Sequence, residues 1–171
     1  MITAIRAGVL VFAAAIVQVA VVSGIDVLGT TPDLLLVVVV AVAFHRGSLA
    51  GAIAGFGGGL IVDTATLGVL GVSSLLLTLA GFWAGRYGET TGRGRNAAPY
   101  LAVAVMTVLV AVGGAVVHFL LGDAVDLRAI GAGLVPAVLL NVALAVAFVP
   151  FTRWAVGEPR VERTQEVELV A

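Results

Sequence analysis

Long stretches of this chain carry no charged residue, and this constrains its fold more than any other feature. A bilayer core of roughly 30 Å is crossed by about 20 apolar residues in a helix. Six apolar segments can be marked on that basis: Ala7–Ile25, Pro32–Phe44, Ser48–Val62, Val69–Gly85, Ala98–Leu121 and Ala129–Phe151. With 61% hydrophobic and 11% charged residues, the chain also has too few polar residues to cover a soluble globule. The sequence therefore predicts an all-α polytopic membrane protein with six transmembrane helices.

The second and third segments are shorter than a full span, and only His45, Arg46 and Gly47 separate them. This spacing leaves two alternatives open for residues 32–62. They form either two short transmembrane helices or a re-entrant hairpin. Both arrangements return Asp63 to the side of the membrane from which the second segment starts.

The chain contains no lysine, so its orientation is predicted from arginine alone under the positive-inside rule. With the N-terminus in the cytoplasm, only Arg128 lies outside. All other arginines lie on the cytoplasmic side: Arg6, Arg46, Arg86, Arg93, Arg95, Arg153, Arg160 and Arg163. We therefore expect both termini to be cytoplasmic. Residues 1–152 would form one six-helix membrane domain, and residues 153–171 a short cytoplasmic tail that we expect to be disordered.

Glycine recurs at every fourth position through the third segment, and the same spacing returns in the fourth. Small residues at this spacing let the backbones of membrane helices approach closely. We predict that these glycines pack helices against each other inside the bundle, and the alternative is a docking face for another membrane protein. The residues are Gly47, Gly51, Gly55, Gly59, Gly81 and Gly85.

A few polar residues inside or beside the segments can be weighed singly. Asn141 lies in the middle of the sixth segment, where an unpaired amide costs a few kcal/mol, so we predict an interhelical hydrogen bond for it and for Gln18. Asp63 either caps the following segment or meets a partner outside the membrane. His118 has no second ligand at metal-binding spacing, because Asp123 is expected to lie off its helical face.

No motif in the sequence points to chemistry. There is no cysteine, no H-E-x-x-H zinc motif, no glycine-rich cofactor loop and no pair of carboxylates placed within a span. A net charge of −1 also gives no case for binding nucleic acid. We therefore predict a protein that is not an enzyme and that holds neither a cofactor nor a metal.

Several short blocks stand in a characteristic order along the chain: Pro32-Asp33-Leu34, Gly55-Phe56, Gly59-Leu60, Asp63, Leu70-Gly71, Asn141 and Arg153. Together with the six-segment layout, they resemble the MreD family, the rod shape-determining membrane proteins of bacteria. The resemblance covers most of the chain and is firmest over residues 32–85. It implies a non-enzymatic scaffold of the cell-elongation machinery in the bacterial cytoplasmic membrane.

The resemblance also implies partners and a fold. The partners are the bitopic protein MreC, the actin-like MreB filament, and the peptidoglycan synthases RodA and penicillin-binding protein. The fold is expected to be similar to that of the S components of ECF vitamin transporters. Asp63, Leu70 and Gly71 are the candidate partner contacts, because they carry the resemblance and lie on the outer side.

The alternative function is a vitamin-binding S component of such a transporter, which this chain resembles in size and in number of segments. That function calls for an Ala-x-x-x-Ala docking pattern in the first segment, and this chain lacks it. A vitamin site also needs several convergent polar side chains near the outer face. The sequence offers these candidates: Asp63, Ser73, Ser74, Thr78 and His118.

Overall fold

The structure is a computed structural model that describes residues 2–21, 24, 29–92 and 96–156. Six α-helices make up most of this part of the chain: α1 Ile2–Ala20, α2 Leu34–Arg46, α3 Ser48–Thr66, α4 Val72–Tyr87, α5 Ala98–Leu120 and α6 Leu127–Val156. A π-helical turn, Gly88–Gly92, extends α4. Four helices, α1, α3, α5 and α6, are long and apolar enough to cross a membrane. The prediction of an all-α membrane protein is therefore confirmed.

The lengths of the helices differ in part from those expected. The third segment is not short, because α3 continues past Val62 and reaches 19 residues. The second segment is short, since α2 has 13 residues and spans only about 20 Å. At the other end of the chain, α6 runs through Arg153 and ends at Val156. The arginines at positions 93, 95, 160 and 163 lie outside the described residues. So does all of the expected disordered tail, residues 153–171, except residues 153–156 at the end of α6.

Helix α2 forms the centre of the bundle. Every residue from Leu34 to Phe44 is buried, on all sides of the helix. α2 packs against all five of the other helices. A helix that is apolar around its whole circumference is enclosed either by protein or by lipid, and α2 is enclosed by the other helices. The short helix is therefore the core around which the longer ones are arranged.

A single residue, Gly47, links α2 to α3. Its φ of 95° is readily adopted only by glycine. The Gly47 N–H donates to the Ala43 carbonyl at 2.7 Å and ends α2, while its own carbonyl accepts from the Gly51 N–H at 3.0 Å and begins α3. The two helices thus form a tight hairpin.

Charged residues distinguish the two ends of the bundle. At one end, the Arg46 guanidinium donates to the Thr3 hydroxyl at 2.9 Å. Arg86 lies at this same end. We call this end of the bundle the arginine end. It includes the start of α1 and the ends of α2 and α4. The opposite end, which we call the aspartate end, includes Asp63 near the end of α3 and Asp123 after α5.

Candidate functional site

Three glycines of α3 lie against the backbone of α4. Gly51, Gly55 and Gly59 are all buried. A Cβ added at any of them would collide with main-chain atoms of α4; at Gly55 it would lie 2.8 Å from the Thr78 nitrogen. Such close contact with the α4 backbone requires that α3 carry no side chain at these three positions.

Two glycines of α4 complete this interface from the other side. A Cβ at Gly81 would collide with the Gly51 carbonyl, and one at Gly85 would lie 2.6 Å from the Ser48 Cα. Gly85 also faces the backbone of Gly47, which lies at the end of the interface and forms the turn. The structure therefore brings all six predicted glycines to the contact of α3 with α4.

Glu89 lies beside the turn at the arginine end. Its carboxylate accepts a hydrogen bond from the Ser48 N–H at 2.8 Å, at the first residue of α3. Arg86 lies 3.8 Å from the same carboxylate. A negative charge is favourable at a helix N-terminus, where backbone N–H groups have no partner within the helix. The π-helical turn thus ties the end of α4 to the start of α3.

Asp63 caps the N-terminus of α4. Its carboxylate accepts hydrogen bonds from the backbone N–H groups of Gly71 at 2.8 Å, Ser73 at 3.1 Å and Ser74 at 3.3 Å. These are donors that a helix leaves unpaired at its start. Two roles were predicted for Asp63, a cap of the following segment and a contact with a partner. The structure contains the cap.

The burial of Asp63 bears on the predicted partner contacts. Asp63 is 3% exposed, so its side chain is not accessible for direct contact with a partner. Leu70, by contrast, is 67% exposed, and Leu67 next to it is 92% exposed. Gly71 has a φ of 96° and gives its N–H to Asp63. Of the three residues predicted for partner contact, Leu70 therefore has the exposed side chain, while the hydrogen bond between Asp63 and Gly71 holds the loop.

A partly buried polar cluster surrounds the N-terminus of α2. The Asp33 carboxylate accepts from the Leu36 N–H at 2.9 Å. The Gln18 side-chain oxygen accepts from the Leu34 N–H at 2.8 Å, and that of Asn141 accepts from the Asp33 N–H at 2.7 Å. Three side chains thus satisfy the first N–H groups of a helix that begins inside the bundle.

Asn141 connects this cluster to α5. Its side-chain nitrogen donates to the Thr107 hydroxyl at 3.1 Å, and that hydroxyl donates to the Val103 carbonyl at 2.8 Å. The interhelical hydrogen bonds expected for Gln18 and Asn141 are thus present. The hydrogen bonds of Asp33 and Thr107 were not predicted from the sequence. The signal for Asp33 was its position just before an apolar run, which is typical of an N-cap.

His118 and Asp123 form a pair at the aspartate end. Their side chains are exposed and lie 2.7 Å apart. The expectation that Asp123 lies away from His118 was wrong, because α5 ends at Leu120 and Gly122, with a φ of 90°, turns the chain back. Across the described part of the chain, no group of three or more metal-ligating side chains forms.

The polar residues considered for a vitamin site do not converge. A cavity of about 530 Å³ opens between α4, α5 and α6 at the aspartate end, and it is lined by Ser73 and His118 among these residues. Asp63 is used as a cap. The Ser74 hydroxyl donates to the Phe56 carbonyl at 3.0 Å, and the Thr78 hydroxyl donates back along α4. The structure therefore brings two of the five side chains to one cavity.

Comparison with known protein families gave a match over most of the chain. The model of the family described as rod shape-determining protein MreD matches residues 2–154. No curated protein and no solved structure matches the chain, so the expected similarity to the ECF S-component fold has no support.

Proposed function

The chain belongs to the MreD family, and on that premise we propose that it is a non-enzymatic scaffold of the bacterial cell-elongation complex. Membership makes it a rod shape-determining membrane protein. The finer role that we propose is to couple an MreC-like protein and the MreB filament to RodA and a penicillin-binding protein. The observation that carries this proposal is the family match over residues 2–154.

The internal contacts are compatible with such a role. Backbones packed through glycine and helix ends capped by buried side chains leave little freedom for movement between α2, α3 and α4. A scaffold needs this property, because it presents surfaces at fixed positions. The proposal is thus supported by the polar side chains of the bundle, because they form hydrogen bonds that hold its own helices together.

The loop between α3 and α4 is the contact that we propose for the MreC-like partner. Leu67, Val69 and Leu70 are 92%, 50% and 67% exposed, and we call them the leucine loop. Burying one leucine side chain contributes about 1.5–3 kcal/mol. Loss of one such contact would therefore weaken capture at least tenfold, since a factor of ten corresponds to about 1.4 kcal/mol.

We also propose that the arginine end faces the cytoplasm and the aspartate end the outside. Arg46 and Arg86 lie at the arginine end, and cytoplasmic boundaries are enriched in arginine. This places both termini in the cytoplasm and the leucine loop on the outer side of the cytoplasmic membrane. MreC-like proteins would then be met outside and MreB inside.

Depletion in a rod-shaped bacterium that carries this chain as its MreD protein tests the proposal. Cells should round or swell, and the wild-type chain should restore the rod. Leu70→Asp should fail to restore it and should capture at least tenfold less MreC-like protein. Leu127→Asp is the matched control, because Leu127 is 76% exposed at the same end of the bundle, outside the leucine loop.

Two results would count against the scaffold. The first is unchanged cell shape and unchanged peptidoglycan insertion after depletion. The second is a vitamin bound tightly to the purified protein, which would favour the transporter component. Equal capture by Leu70→Asp and Leu127→Asp would leave the family role intact and refute the leucine loop as the contact.

A further inference from the structure

A groove of about 380 Å³ opens between α1 and α3, two helices of membrane-spanning length. Its lining is mostly small: Ala4, Ala7, Gly8, Ala50, Ala54 and Gly57. A Cβ added at Gly8 or at Gly57 would find no protein atom within 4 Å. The space above these glycines is therefore not filled by the protein's own side chains.

Large apolar side chains border the groove and make it deep. Phe12 on α1 and Ile53 on α3 belong to its lining, and they are 55% and 65% exposed. Val42 of the buried helix α2 also belongs to it. In a bilayer such a groove is filled by whatever apolar group fits it, because an unfilled space forfeits dispersion contacts on all its walls.

The volume of the groove decides what kind of group fits. The lining runs along α3 from Ala50 to Ile61, a length of roughly 16 Å. A helix of that length, with side chains about 10 Å across, would occupy on the order of 1,300 Å³. This is above the roughly 870 Å³ of space within the groove that is free of protein atoms. A narrow, flexible chain fits within the groove, whereas a whole helix of this length does not.

Arg46 adds a charge at one end of the groove. It belongs to the lining and is half-buried. Within the described part of the chain, no carboxylate lies in ion-pair distance of Arg46, and the Thr3 hydroxyl accepts one of its N–H groups. A guanidinium has five N–H donors, so donors remain for an anion. A partly desolvated cation without a counter-charge favours binding of an anionic group beside it.

We propose that this groove binds an acyl chain of an anionic phospholipid, whose headgroup phosphate pairs with Arg46. A guanidinium recognises phosphate through two parallel N–H···O bonds. Arginine also extends along apolar surface toward the headgroup level while its charge stays in a polar layer. The apolar groove and the cation at its end thus match the two parts of one lipid molecule. This inference does not depend on the proposed scaffold role.

Native mass spectrometry of the full chain in mild detergent tests the proposal. The probes are phosphatidylglycerol and phosphatidylethanolamine with the same acyl chains. One arginine near the membrane surface contributes about 1 kcal/mol, so the wild-type protein should prefer phosphatidylglycerol roughly fivefold. Arg46→Gln should abolish that preference. Arg86→Gln, at the same end of the bundle, is the matched control and should keep it.

A second pair of variants tests the apolar part of the site. Gly57→Leu should fill the groove and weaken binding of both lipids about fivefold or more, because the leucine side chain would occupy the space of the acyl chain. Gly131→Leu on α6 is the control, since a Cβ there also finds no atom within 4 Å. It should bind lipid like the wild type.

The outcomes separate the proposal from its alternatives. An unchanged preference in Arg46→Gln, or unchanged lipid binding in Gly57→Leu, would overturn it. So would a Gly57→Leu protein that keeps its lipid but no longer co-purifies with a membrane protein, because a helix would then be the occupant. If Arg46→Gln does not fold, Arg46→Lys replaces it. That variant keeps the charge and loses the paired N–H geometry, so it should retain a weaker preference.

Discussion

Replacing Gly55 with alanine tests the contact between α3 and α4 directly. The new Cβ would lie 2.8 Å from the Thr78 nitrogen and closer still to the Leu77 carbonyl. Since ordinary contacts are 3.4–4 Å, the two helices must move apart by at least about 1 Å. A gap of that size removes a quarter to a half of the roughly 0.1–0.2 kcal/mol held by each atom pair. One buried leucine makes about 50 such atom pairs. For a contact of that size, the loss of dispersion energy is about 1–5 kcal/mol.

Gly55→Ala should therefore lower the free energy of unfolding by about 2 kcal/mol, within the range typical of overpacking. For a chain of this size the melting temperature should fall by about 4–8 °C. The measurement is thermal unfolding in detergent, followed by tryptophan fluorescence. Gly57→Ala is the matched control, because it changes the same helix in the same way and a Cβ there meets no atom within 4 Å. Equal melting temperatures for the two variants would refute the close contact of the backbones.

Three further predictions concern the caps, the polar cluster and the topology. Asp63→Ala should lower the free energy of unfolding by about 1–2 kcal/mol, because three N–H groups at the start of α4 lose their acceptor, whereas Asp123→Ala should change it little. Equal effects on thermal unfolding would contradict the cap. Asn141→Leu should cost about 1–3 kcal/mol in the same assay, and Thr107→Val should add little to it, because the two side chains share one hydrogen bond. Additive losses would argue against the cluster. In a chain without native cysteine, Asp123→Cys should react with a membrane-impermeant maleimide in intact cells, and Thr90→Cys only after lysis. The reverse pattern would invert the proposed orientation.

The sequence predicted the helices better than their ends. Length and absence of charge suffice to locate a membrane helix, because the bilayer sets both requirements. The apolar segment Ser48–Val62 predicts a helix that ends just before Asp63, yet Asp63 lies inside α3, which continues to Thr66. A charged residue can stay in a helix when its charge is used by a neighbouring element, here α4. The sequence shows Asp63, but it does not show that the start of α4 lies beside it.

The types of contact in the candidate site were predictable from the sequence, but the partners of each contact were predictable only in part. The four-residue spacing of glycine predicted a close contact between helices, but spacing alone does not say which helix lies opposite Gly55. Asn141 was expected to bond within the bundle, while its partner Asp33 is 108 residues away in the sequence. Contacts at such separation leave no local pattern. The burial of Asp63 was likewise unpredictable, because both of its possible roles require the same residue at the same boundary.

The position of α2 affects the order in which the protein can be completed. Chains are synthesised at roughly 5–20 residues per second, so about 5–20 s separate the appearance of Asp33 from that of Asn141, which lies 108 residues later. During this interval the N-terminus of α2 lacks one of its three side-chain acceptors, and α3, α4 and α5 become available to enclose the helix only one after another. A nascent helix of 13 residues is also too short to span the bilayer on its own. The central helix of the finished protein is thus incompletely enclosed until most of the chain has been synthesised.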